Sequence, residues 1–75
     1  MIEISADAFK YIISRLVDNA LTAKQELDDD PGNSFYEGKT MAYYEVLDTL
    51  KNELEVREQD LKEYGLDMDL EKSLI

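Results

Sequence analysis

The 75-residue chain has no cysteine, no histidine and a single proline. Without cysteine there are no disulfides and no zinc–thiolate sites. Without histidine, the other common transition-metal ligand is missing too. Nucleophilic catalysis loses both its thiol and its usual base, so a serine would need an unusual base such as lysine. Ser5 and Ser34 read as helix caps, and Ser14 and Ser73 lie in no recognisable motif. Positive charge is scarce as well: 8 Lys and Arg stand against 18 Asp and Glu, a net charge of −10. Such a surface repels phosphate backbones, so direct nucleic-acid binding is not expected. No apolar run approaches the roughly 18 residues of a membrane span. The N-terminus also lacks the basic region and continuous apolar core of a signal peptide. The expected setting is the cytoplasm, away from the membrane.

Hydrophobic residues make up 44% of the chain, enough for a folded domain rather than an acidic disordered tail. The length allows one domain, residues 1–75. A domain this small buries little surface, and with disulfides and zinc–thiolate sites excluded, self-association is the remaining aid to stability.

Two helices are legible. Ser5 is placed to cap the first, with Asp7 in its first turn. Ile4 and Phe9 have the spacing of a hydrophobic staple. Phe9, Ile12, Ile13, Leu16, Val17, Ala20, Leu21 and Leu27 then recur with a 3.6-residue period. Helix 1 is expected over 6–27, about 33 Å long. Asp28, Asp29 and Asp30 should fray its last turn, and Pro31-Gly32 suits the centre of a type II turn. After a turn over 28–34, Ser34 and Glu37 match a Ser-x-x-Glu capping box. With no later proline, helix 2 is expected over 35–64, about 45 Å. Gly65 should stop it, with Leu61 and Leu66 in contact across a Schellman cap. Glu53–Arg57 and Glu58–Lys62 are well-oriented i,i+4 pairs. In the tail, 65–75, Asp67 is a candidate cap for one short turn through Leu70, before Leu74 and Ile75.

On a helical wheel of helix 2, Tyr36, Tyr43, Leu47, Leu50, Leu54 and Leu61 share an arc facing helix 1. Phe35, Gly38, Ala42, Val46 and Thr49 form a neighbouring arc. One partner helix covers an arc of roughly 100°, so two arcs call for a second chain. Gly38 and Ala42 would admit its backbone closely, which would offset the roughly 1 kcal/mol that a mid-helix glycine costs. An incidental glycine in a fraying first turn is the alternative. Met41 and Tyr44 lie on the far side, with the exposed Met and Tyr character of protein-binding surfaces. Tyr11 sits beside the helix 1 stripe.

Candidate metal chemistry fails on spacing. A calcium-binding loop begun at Asp28 would place Gly32 at its fifth position and Lys39 at its twelfth. Glu45 and Asp48 have i,i+3 spacing but no accompanying histidine. No catalytic, cofactor-binding or metal-ligating residue is assigned.

The run FYEGKTMAYYEVLDTL, 35–50, resembles small uncharacterised helical proteins of Gram-positive bacteria and their phages or mobile elements. It covers about a fifth of the chain. The resemblance implies a bacterial or phage cytoplasmic setting and carries no activity and no functional residue.

The sequence therefore leads to an all-α antiparallel helical hairpin with a short tail, dimerising into a four-helix bundle. The expected role is that of a non-catalytic acidic interaction or regulatory protein, a homodimer with an unidentified protein partner. Its candidate interface is Phe35, Gly38, Met41, Ala42, Tyr44 and Val46. The alternative is an acidic, DNA-mimicking inhibitor of a nucleic-acid-binding protein.

Overall fold

A computed structural model describes residues 4–75. Helix α1 spans Ala6–Asp29 and helix α2 spans Ser34–Val56. They pack side by side as an antiparallel hairpin. A 3₁₀ turn, Leu61–Tyr64, and a short helix α3, Leu70–Leu74, form a C-terminal arm. The described residues contain no strand. The molecule measures 41 × 23 × 17 Å.

α1 starts where expected, with the Ser5 hydroxyl accepting from the Ala8 N–H at 3.1 Å. It runs two residues beyond the expected end at Leu27. Two side-chain contacts one turn apart hold the acidic end. Lys24 Nζ lies 3.1 Å from Asp28 Oδ1, and Gln25 Nε2 donates to Asp29 Oδ1 at 3.1 Å. These offset the unfavourable placing of carboxylates at a helix C-terminus.

The Pro31-Gly32 turn forms with Gly32 at φ +89° and the Asn33 N–H donating to the Asp30 carbonyl at 3.2 Å. This closure fixes Asn33, not Ser34, as the cap of α2. Its side-chain oxygen accepts from the N–H groups of Phe35 and Tyr36 at 3.0 and 3.2 Å, and Ser34 becomes the first helical residue.

The largest departure comes at the other end of α2. The helix stops at Val56 rather than continuing to Tyr64. The Gln59 N–H donates to the Leu54 carbonyl and the Glu58 N–H to that of Glu55, both at 2.9 Å, with Glu58 at φ +58°. That is a Schellman cap without glycine. A straight α2 would carry Leu61 and Tyr64 past the end of α1. The break returns the chain so that Tyr64 and Leu66 are buried. Glu53 and Arg57 make their expected ion pair, whereas Glu58 and Lys62 lose the helix that would align them. The expected cap at Gly65 does form, with φ +71° and the Leu66 N–H donating to the Leu61 carbonyl at 2.9 Å. It closes a 3₁₀ turn rather than α2. Asp69, not Asp67, caps α3, accepting from the N–H groups of Glu71 and Lys72.

The core joins all of these elements: Ile13 and Ala20 of α1, Leu47 and Leu54 of α2, and Tyr64, Leu66, Leu70 and Leu74 of the arm. Phe9 meets Tyr64 edge-on at 5.9 Å. Ile4 remains 60% exposed, so the staple expected from its spacing is not what holds Phe9. Ile2 lies outside the described residues. The arm is further tied down by Lys51 Nζ, which donates to the Met68 carbonyl at 2.9 Å, and by Lys10, 3.5 Å from Glu63.

Leu66→Ala should therefore destabilise the fold by about 2–5 kcal/mol, as should Leu47→Ala; urea unfolding of each variant measures this. A surface-like loss at Leu66 would show that the arm is not core. Leu47→Asp should leave the chain unfolded by circular dichroism, because it buries an unpaired charge. Glu58→Gly should raise stability by up to about 1 kcal/mol by relieving a left-handed non-glycine residue.

Candidate functional site

The arm divides the hairpin into two sides. On one, no segment among the described residues covers the groove between α1 and α2. It holds a crevice of about 170 Å³ lined by Leu16, Lys39, Ala42, Tyr43 and Val46. A second, of about 360 Å³, is lined by Phe9, Leu50, Glu53, Leu54 and Arg57. Ile12, on the same stripe of α1, is 43% exposed, and Val46 across the groove is 46% exposed. The charged groups that line the crevices are paired: Lys39 Nζ with Glu26 at 3.1 Å, and Arg57 with Glu53. The result is an apolar, locally neutral stripe on a strongly acidic chain. Phe35 and Gly38 extend along its edge, both exposed. A Cβ on Gly38 would meet nothing within 4 Å. Among the described residues, none packs closely enough to require this glycine.

Met41 and Tyr44 lie on the other side, beside α3, apart from Phe35, Gly38, Ala42 and Val46. The six candidate interface residues are thus split between two surfaces. Tyr44 is half-buried, with Asp48, Asp69, Leu70 and Glu71 around it in a crevice of about 240 Å³. Burial raises its phenol above the ordinary tyrosine value, and the negative charges of Asp48, Glu71 and Asp69 add to the effect. Toward the start of α2, a crevice of about 250 Å³ is lined in part by Glu37, Thr40, Met41, Leu74 and Ile75. Thr40 is 2% exposed, and its hydroxyl has no hydrogen-bond partner.

Thr40 was not singled out by sequence reasoning, although a signal exists. Thr40, Leu47 and Leu54 recur every seventh residue and are the buried residues of α2. Asp69 and Glu71 were missed because a five-residue helix leaves too little periodicity to place its faces. Asp28, Asp29 and Asp30 are exposed, and each contacts a neighbouring side chain: Lys24, Gln25 and Asn33 respectively. Among the described residues, no three Asp or Glu side chains converge closely enough to hold a metal ion. No helix in them is long and apolar enough to cross a membrane.

Because the folded pKa of Tyr44 is raised, its neutral form is favoured. The associated stability is present below the ordinary tyrosine pKa of about 10 and is lost as pH rises through the folded value. In a tyrosinate absorbance titration, Tyr44→Phe should remove a late-titrating component. Asp48→Asn should move that component to lower pH. A titration curve unchanged by both substitutions would refute the assignment.

No protein-family model, curated protein or solved structure matches this chain.

Proposed function

We propose that this is a non-catalytic interaction protein that self-associates through the uncovered α1–α2 stripe. The observation that carries this reading is the run of exposed apolar side chains, Ile12, Ala42 and Val46, bordered by paired charges. A contiguous apolar patch on a small soluble chain is a common sign of an interaction surface. The charge pattern favours a second copy as its occupant. Two chains of net charge −10 repel each other over most of their surface. At the stripe the repulsion is least, because Lys39 and Arg57 are matched by Glu26 and Glu53. Face-to-face packing about a two-fold axis would give four long helices with the two arms on the outside. It would also give Gly38 and Ala42 the close neighbour that the described residues of one chain do not provide.

Light scattering across a dilution series tests this directly: a dimer mass at high concentration is expected, and a monomer throughout would overturn the proposal. Added salt should leave association intact or strengthen it, since salt screens the repulsion between like-charged copies. Val46→Asp should raise the dissociation constant by at least about tenfold while helicity by circular dichroism is retained. Gly38→Leu should weaken association as well; unchanged association would remove Gly38 from the contact.

A further inference from the structure

We propose that the groove between α2 and α3 docks a basic amphipathic helix of another protein, with an apolar side chain of that helix over Met41 and Ile75 and a Lys or Arg between Asp48, Asp69 and Glu71.

The groove has an apolar floor and an acidic rim. Met41 is 45% exposed and Ile75 63% exposed, beside the buried Leu74. Glu37 borders this end, and Asp48, Asp69 and Glu71 border the other. The two basic residues that line it are committed within the chain. Lys51 donates to the Met68 carbonyl, and Lys24 pairs with Asp28. Lys51 keeps its charge there and offsets one of the four carboxylates, so the rim stays net negative, unlike the stripe on the opposite side. Its sign is wrong for nucleic acid or an anionic membrane and right for a cationic peptide.

The apolar end is independent of the acids. Thr40 lines the crevice there, but its hydroxyl lies beneath the surface, so the accessible contact is made by Met41 and Ile75. The two ends also have a matching spacing. From Met41 to Asp48 is about 10 Å along α2, which equals two turns of a partner helix laid alongside it. The partner then presents its apolar anchor and its cation about seven positions apart, on one face. The negative potential that opposes ionisation of Tyr44 is the same potential that would stabilise this cation.

This docking rests on the arm side of the hairpin and needs no dimer. Its test is fluorescence anisotropy of the full chain with two labelled synthetic peptides of identical composition. In one, leucine and arginine lie about seven positions apart on a single helical face; in the other, the same residues are scattered around the helix. The aligned peptide should bind at least about tenfold more tightly than the scattered one, with affinity falling as salt is added. Asp48→Lys should remove most of this preference. Asp18→Lys, an exposed change of the same charge on α1, should leave binding within about twofold. Asp48→Asn gives a milder second variant should the lysine disturb the fold. Equal binding of the two peptides, equal losses in the Asp18 and Asp48 variants, or no binding at all would each overturn the proposal.

Discussion

The structure depends on the contact between the leucines of the arm and the seam of α2. Leu47 is completely buried, as are Ile13 of α1 and Leu66 of the arm. Leu70 and Leu74 close over them. Each such side chain contributes about 1.5–3 kcal/mol relative to exposure. The contributions are interdependent. A five-residue helix like α3 has no stability of its own in water. Without the arm, the hairpin would present an apolar face on both sides. The antiparallel pair and the arm therefore stabilise each other, and neither is a complete fold alone.

That mutual dependence explains the break after Val56. Leaving the helix at Glu58 puts a non-glycine residue in the left-handed region, at a cost of about 1–2 kcal/mol. In exchange, Tyr64 and Leu66 enter the core and Phe9 gains an aromatic neighbour. Burying two large side chains outweighs one strained residue, so the bend wins over a straight helix of good local propensity.

The balance also marks what could be read from the sequence. Ser5, the 3.6-residue stripe of α1, the Pro31-Gly32 turn and the Gly65 cap all act through nearest neighbours. Each was legible because its residue types have local geometric consequences. Leu47 and Leu54 were placed on the correct seam by periodicity alone. The Glu58 break was not legible, because it uses no glycine or proline and is driven by distant burial. The choice between Asn33 and Ser34 was not legible either. Both residues cap helices, and only the turn's closure onto Asp30 decides between them. The same limit applied to the candidate surface. Wheel geometry separated the Phe35–Val46 arc from Met41 and Tyr44, but could not show that α3 would lie beside the latter. Thr40 went unremarked although it continues the seven-residue spacing of Leu47 and Leu54, because a polar side chain does not register as part of an apolar stripe.

The scarcity of positive charge gives the two surfaces opposite characters. Of the 8 basic residues, Lys10, Lys24, Lys39 and Arg57 are in ion pairs, and Lys51 holds the Met68 carbonyl. Two of these five, Lys39 and Arg57, lie along the open stripe and neutralise it. Lys10 and Lys51 fasten the arm, and Lys24 steadies the end of α1. Of these five only Lys51 lies beside the carboxylates around Tyr44, and one cation against Asp48, Asp69 and Glu71 leaves that crevice net negative. The acidity of the chain is thus unevenly expressed: weak where two copies could meet, and strong in the groove that the arm creates. An apolar, neutral surface derives its affinity from buried area and tolerates salt, whereas an apolar floor inside an acidic rim selects its ligand by charge. A chain of this size can carry both because the arm that completes its core also separates them, one on each side of the hairpin.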